Sequence, residues 1–397
     1  MTSNVNRTPE PAPVDPGRIG AADTRQHSKL ERRDFLKVVT AAAAAVGLSS
    51  STAIEIAEAA TKGLKPSVIW LHFQECTGCT ESMLRTSSPD IAEVILDLVS
   101  LDYHETLFAA AGHQIEDALH QAMEQHKGNY VCVIEGAIPT RDGGVYCKIG
   151  GRTAMELTDM VAKDAAAVIA IGSCASWGGI PSASPNPTGA QGAPEVLKMA
   201  NRDVPVVTIP GCPANPYNFL GTVLQFVAMG TLPALDDKLR PKFAYGRTIH
   251  EHCPRRPHFD AGRFALKYGD EGHREGYCLY RLGCKGPETY ANCSVQHFGE
   301  IPDAWPIGLG HPCFGCTEEG IGFEKPLHST AEIVRPTPPD TYPPIEGEPG
   351  AVSAVASGLA GAIVGAIAGG AMVASRKLEV GEEEMLADRK RKEEDSK

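Results

Sequence analysis

Ser67-Val-Ile-Trp-Leu-His-Phe73 runs straight into Gln74-Glu75-Cys76-Thr77-Gly78-Cys79-Thr80-Glu81-Ser82. The first seven residues form a compact apolar run and read as a buried strand. The polar residues after them read as a turn that opens a helix. Three further runs look alike: Tyr130 to Gly136, Ala166 to Ser173, and Val204 to Gly211. Stretches with helical period lie between them, notably Ile91 to Leu101 and His113 to Gln125. Strands alternating with helices predict an α/β fold with a doubly wound parallel sheet over residues 66–235.

Four cysteines sit just beyond those strands. Cys76 and Cys79 follow the first, Cys174 follows Ala-Ile-Gly-Ser, and Cys212 follows Ile-Pro-Gly. Open α/β sheets bind ligands at the carboxyl edge of their strands. Four thiolates converging there suit a four-iron cluster. Gly172, Gly178, Gly179 and Gly211 keep the backbone slim where it would pack against inorganic sulfur. Zinc is the alternative, although ligands scattered from 76 to 212 are unlike a compact zinc knuckle. Cys132, inside an apolar run, reads as a small buried hydrophobe, and Cys147, in a Gly-rich loop, as unliganded.

A second concentration lies from His250 to Cys316. It holds His250, Cys253, Cys278, Cys284, Cys293, Cys313 and Cys316, spaced as His-x-x-Cys, Cys-x5-Cys, a lone Cys and Cys-Phe-Gly-Cys. Seven ligands exceed what one tetrahedral site needs, so two sites are the economical count, one of four and one of three. Cys-x-x-Cys pairs make poor structural disulfides, and a chain of 397 residues does not need stapling. Zinc takes Cys3His sets readily, whereas a three-cysteine remainder fits an iron–sulfur cluster short of one iron. Iron–sulfur leads on spacing, with zinc and disulfide still open. Past Leu235 the periodicity weakens and Gly, Pro and His become frequent, so residues 236–330 read as a small irregular domain held together by metal.

The formal net charge of −12 argues against a nucleic-acid partner, which needs a basic face. Residues 1–59 read as a polar, disordered start followed by an export signal. Arg32-Arg33-Asp34-Phe35-Leu36-Lys37 precedes the weakly apolar Val38 to Leu48 and the cleavage-like Ala57-Glu58-Ala59, a twin-arginine pattern. Residues 331–350 form a proline-rich linker. Ala351 to Ser375 carries no charge and is long enough to span a bilayer, with Gly361, Gly365 and Gly369 as a small-residue stripe. Arg376-Lys377 and the basic residues from Arg389 follow, so the tail 376–397 reads as cytoplasmic and the metal domains as lying outside.

Taken together, the strings Gln-Glu-Cys76-Thr-Gly-Cys79-Thr-Glu-Ser, Glu135-Gly-Ala-Ile-Pro, Ile-Gly-Ser-Cys174-Ala-Ser-Trp-Gly-Gly, Pro-Gly-Cys212-Pro-Ala-Asn-Pro and Gly-His311-Pro-Cys313-Phe-Gly-Cys316 are long and distinctive. Over roughly Ser67 to Lys325 the chain resembles the small subunit of nickel–iron hydrogenases, and its export signal and C-terminal anchor resemble those of the membrane-bound uptake members. The resemblance implies a flavodoxin-like first domain and a small iron–sulfur domain. It implies a proximal four-iron cluster on Cys76, Cys79, Cys174 and Cys212, and a medial three-iron cluster on Cys293, Cys313 and Cys316. It also implies a distal four-iron cluster on His250, Cys253, Cys278 and Cys284. Trp305-Pro306 matches the segment where Pro replaces a fourth medial thiolate, although the interval from Cys293 to Cys313 is slightly longer than in soluble members. Gly78 and Gly179 stand where oxygen-tolerant relatives carry extra cysteines, which implies a standard oxygen-sensitive type.

By the same resemblance the nickel–iron centre lies in a separate large subunit, and no catalytic residue belongs to this chain. Electrons from H2 oxidation would pass to a membrane acceptor subunit or cytochrome b and the quinone pool. The site would be the periplasmic side of the inner membrane, with a dimer of heterodimers as one assembly. Glu75, beside Cys76, is a candidate for proton transfer or simply a carboxylate at a helix N-terminus. An iron–sulfur subunit of another quinone-reducing membrane complex is the rival reading, since such subunits share the first domain, but the His250–Cys316 stretch counts against it. A zinc-stabilised, membrane-tethered binding protein is the rival from another class.

Overall fold

The computed structural model describes residues 65–335, apart from 88, 299 and 300. Five parallel strands form its centre: β1 (Ser67–His72), β2 (Ser100–His104), β3 (Tyr130–Glu135), β4 (Ala167–Ile171) and β5 (Val206–Ile209). Their order is β2-β1-β3-β4-β5. This is the flavodoxin-like order, with the topological switch between β1 and β3. The predicted α/β doubly wound sheet is therefore present, and four of its strands are the four apolar runs.

Two cores follow from the two-residue repeat of the strands. Val68, Trp70, Val131, Val133, Ile169, Ile171, Val207 and Ile209 face one way, against helix residues Tyr217, Phe219, Leu220 and Val223. Ile69, Leu71, Cys132, Ile134, Val168 and Ala170 face the other, against Leu119, Leu157, Val161, Val196 and Leu197. Strands covered on both faces must be apolar at every position, which is why they stand out as runs. Cys132 is fully buried, as expected of a small hydrophobe, and Cys147 is half-buried against the same core.

The helices flanking the sheet include α1 (Gly78–Leu84), α2 (His113–Gln125), α3 (Ala154–Ala162), α4 (Gly172–Trp177), α5 (Ala193–Met199) and α6 (Pro216–Met229). α2 has the predicted bounds. The predicted helix from Ile91 to Leu101 does not form whole. It is a short turn, Ile91–Glu93, capped by Asp90, then a π-helical segment, Val94–Leu98, and then β2 begins at Ser100. β2 is an edge strand whose Ser-Leu-Asp-Tyr-His sequence alternates polar and apolar, so it offers no apolar run to read.

Beyond residue 235 the described chain forms only short helical turns, among them α7 (Ile249–His252), and isolated bridges such as Phe264 with Cys278. Its apolar residues Tyr245, Ile249, Leu279, Leu282, Trp305 and Ile307 continue the core on one face of the sheet. Arg240 and Glu318, both buried, pair at 2.6 Å and tie the chain after β5 to the turn after Cys316. Glu318 also accepts from Lys238 Nζ and the Tyr290 N–H, so the buried charges are well satisfied.

The export signal in 1–59, most of the 331–350 linker, the span 351–375 and the tail 376–397 lie outside the described residues. Among the described residues no helix is long and apolar enough to cross a membrane.

Candidate metal centres

β1 and β3 pair in register, ending with His72 opposite Glu135. Glu135 is buried and turns its carboxylate onto the start of α1. Its Oε1 accepts the Cys79 and Thr80 N–H groups at 2.9 and 3.2 Å, and its Oε2 accepts Thr80 Oγ1 at 2.6 Å and Trp70 Nε1 at 3.1 Å. Backbone donors left open at the start of the helix are thus satisfied by a side chain 56 positions away. The loop bearing Cys76 and Cys79 is pinned to the end of β3.

Cys174 lies on α4, directly after β4, and Cys212 follows β5. Gly172 has φ +82°, and a Cβ there would stand 2.6 Å from Cys79 Sγ. Gly179 has φ +52°, and its Cβ would stand 2.9 Å from Cys174 Sγ. Glycine is needed at both for conformation and for room beside sulfur. The thiols of Cys79, Cys174, Cys212 and Cys76 feel one another's charge, so the four predicted residues are brought together.

A second group lines an apolar cavity. Cys293, Cys313 and Cys316 line it together with Trp305, Pro306 and Cys212. The third group, His250, Cys253, Cys278 and Cys284, lines a second cavity. His250 rides on α7, whose first turn is closed by a Thr248–Glu251 capping box. Phe259 meets the imidazole edge-on at 4.5 Å. The His250 Nε2 is buried and has no hydrogen-bond partner, and burial followed by Arg256 lowers the ring's pKa to about 4. A neutral imidazole with an unspent nitrogen in a cavity of thiols is what a metal ligand requires.

All twelve cysteines are free, which removes the disulfide reading. Burial is the first cause that raises the nine shifted thiols of the three groups other than Cys76, with Cys174 and Cys253 pushed up to about 12 and Cys278 and Cys293 to about 11. Bare thiolates are therefore costly here, and iron would supply the compensating charge as protons leave. Among the described residues no three His, Cys, Asp or Glu side chains converge closely enough to hold a single metal ion. Zinc needs its ligands roughly 2.0–2.3 Å from one point. Donors set around a cavity instead suit a cluster.

The three groups adjoin. Cys212 lines one cavity together with Cys316, the Cys284 sulfur accepts the Gly286 N–H at 3.4 Å, and the Cys313 thiol feels the charge of Cys284. Ser173 Oγ donates to the Cys316 carbonyl, and the Lys285 N–H to the Cys313 carbonyl. Sequence reading assigns no role to Glu135, Ser173, Arg240 or Lys285, because each acts through a partner remote in sequence. Glu75 does not occupy the N-terminal carboxylate position of α1, which Glu135 fills. Glu75 Oε1 accepts from Thr77 at 3.2 Å and lies 3.4 Å from His72 Nδ1, while its Oε2 is buried without a partner.

Two family models match the chain. One, described as NADH ubiquinone oxidoreductase, 20 Kd subunit, matches residues 76–226. The other describes the C-terminal part of the NiFe/NiFeSe hydrogenase small subunit and matches residues 245–328, the part that a quinone-reducing rival would lack. The chain is 53% identical over 350 residues to the Hydrogenase-2 small chain of Escherichia coli K12, covering 88% of this chain and 93% of that one. It is 47% identical over 305 residues to the quinone-reactive Ni/Fe-hydrogenase small chain of Wolinella succinogenes, covering 75% and 84%. The fold superimposes on the Ni-Fe-Se hydrogenase of Desulfomicrobium baculatum with a TM-score of 0.61 at 35% identity, over 64% of this chain and 94% of that one. Donor groups at the sheet edge, the irregular segment that follows and these likenesses lead to one conclusion: the chain belongs to the nickel–iron hydrogenase small-subunit family, the iron–sulfur electron-transfer partner of a large subunit in an H2-oxidising enzyme.

Proposed function

We propose that this chain holds three iron–sulfur clusters in a row and so connects the large subunit's nickel–iron centre to an electron acceptor in the membrane. Cys76, Cys79, Cys174 and Cys212 would hold a proximal four-iron cluster. Cys293, Cys313 and Cys316 would hold a medial three-iron cluster, with Pro306 at the corner that lacks a thiolate. His250, Cys253, Cys278 and Cys284 would hold a distal four-iron cluster. When bound, such clusters supply one-electron carriers. The chain's own residues set their spacing and keep water away.

The observation that carries this reading is the pair of shared walls. Cys212 of the first group lines the same cavity as Cys293, Cys313 and Cys316 of the second, and Ile249 lines both that cavity and the one bearing Cys284 of the third. Neighbouring donor groups that share lining residues support a short, continuous order from the sheet edge to His250. Gly78 and Gly179 in place of added cysteines support an oxygen-sensitive proximal site. The twin-arginine pattern, the charge-free 351–375 and the basic residues after it support export to the periplasmic side and a single C-terminal anchor. Quinone is the acceptor we favour, reached through a membrane subunit or cytochrome b.

Metal and acid-labile sulfide analysis of the purified heterodimer tests the cluster assignment. Iron and sulfide are expected in the amounts that two four-iron clusters and one three-iron cluster require, beyond the iron of the large subunit. Zinc in this chain without iron or sulfide would sink it.

A further inference from the structure

Lys285 is 1% exposed, deeper than almost any other charged side chain described. Its Nζ donates to the carbonyls of Gly283 and Pro326 at 3.1 Å, Leu327 at 3.4 Å, and Ser329, and to Ser329 Oγ at 3.1 Å. Four of these five partners are carbonyls, which only accept. None is a carboxylate, so the positive charge is solvated by dipoles and not neutralised by an ion pair. Glu288, three positions on, directs one oxygen to Lys325 Nζ at 2.7 Å and to the Glu332 N–H at 3.2 Å.

The backbone of Lys285 sits between two donor groups. It follows Cys284 directly, and its N–H donates to the Cys313 carbonyl at 2.7 Å. Its charge couples most to Glu288 and Lys325, and after them to the Cys284 and Cys313 sulfurs. A fixed charge inside the protein is screened far less than one at the surface. Burying an ammonium is costly unless dipoles surround it, and five oxygen partners do so here.

We propose that Lys285 is a positioning residue that holds the medial and distal sites at their separation, and that its buried ammonium raises the reduction potential of both. The inference rests on the cluster assignment proposed above. Reducing a cluster adds a negative charge, and a nearby positive charge favours that form. Following Cys284 directly in the chain, Lys285 should act more on the distal site than on the medial, and least on the proximal.

The test is a potentiometric titration of the complete heterodimer, followed by electron paramagnetic resonance, with the proximal cluster as internal reference. In Lys285→Gln both potentials should fall, the distal more than the medial, while the proximal stays put. Lys285→Arg, which keeps the charge, should remain near wild type. Glu288→Gln removes the largest opposing charge and none of the Lys285 Nζ hydrogen-bond partners, and it should move both potentials upward in the same order. It therefore carries the test should Lys285→Gln not assemble. Distal and medial potentials that do not move in Lys285→Gln, or in Glu288→Gln should the former not assemble, or a proximal shift as large as the distal one, would overturn the proposal. Wild-type enzyme without medial and distal signals would instead overturn the cluster assignment, and this inference with it.

Discussion

The Ser173 hydroxyl donates to the Cys316 carbonyl at 2.5 Å across 143 positions of sequence, and the same oxygen accepts the Gly211 N–H at 3.0 Å. Ser173 precedes Cys174, and Gly211 precedes Cys212. One buried hydroxyl thus fastens the backbone beside Cys174 and Cys212 to that of Cys316.

Ser173→Ala removes that hydroxyl and leaves a buried N–H and a buried carbonyl without their partner. The cost should be about 1–3 kcal/mol. Denaturant unfolding of the heterodimer should show the midpoint falling with the slope unchanged. An unchanged midpoint would mean that water replaces the hydroxyl without loss.

Gly172→Ala should remove the proximal cluster. The new Cβ would stand 2.6 Å from Cys79 Sγ, on a backbone at φ +82°. Gly262→Ala is the control, since Gly262 also has positive φ, +70°, but has open space around it. The left-handed conformation alone costs about 1–2 kcal/mol. Iron content should drop in the first variant only; equal iron in both would show that sulfur contact is not what demands glycine.

His104 should make the protein acid-sensitive. Burial, and then the neighbouring His72, lower its pKa to about 3. An unfolded histidine titrates near ~6.5. Below that value the unfolded chain binds a proton that the native state refuses, so stability is intact above it and declines toward about pH 3. The slope from this residue approaches about 1.4 kcal/mol per pH unit. His104→Gln should flatten the acid limb of stability against pH, and parallel acid limbs for the two proteins would contradict this.

Truncation after Pro349 should release an active, soluble heterodimer that reduces artificial dyes but no longer couples to membrane quinone. The expectation follows from the charge-free stretch 351–375 behind a proline-rich linker. Quinone reduction in membranes at the normal rate by the truncated form would remove the anchor reading.

Much of this architecture is legible in the sequence because its signals are local. β1, β3, β4 and β5 are buried on both faces and so read as apolar runs. The cysteines that follow three of them mark the sheet edge as the site. β2 is hidden because an edge strand tolerates Ser100 and Asp102, whose side chains bond each other at 2.7 Å. Glu135, Ser173 and Lys285 are hidden for a different reason. Nothing near Glu135 in sequence says that it will meet the Cys79 N–H, and nothing near Ser173 points to Cys316. Buried polar residues acquire their roles from the fold, and their partners are not written beside them.

Electron paramagnetic resonance of the fully oxidised heterodimer tests the central claim most directly. In the proposed medial site three thiolates and Pro306 would leave one corner without a ligand, so the oxidised wild type should show the signal of a three-iron centre. Pro306→Cys should supply the fourth thiolate, lose that signal and lower the site's potential, since cluster charge is a lever on potential. A wild type that lacks the three-iron signal, with iron for three complete cubanes, would contradict the account.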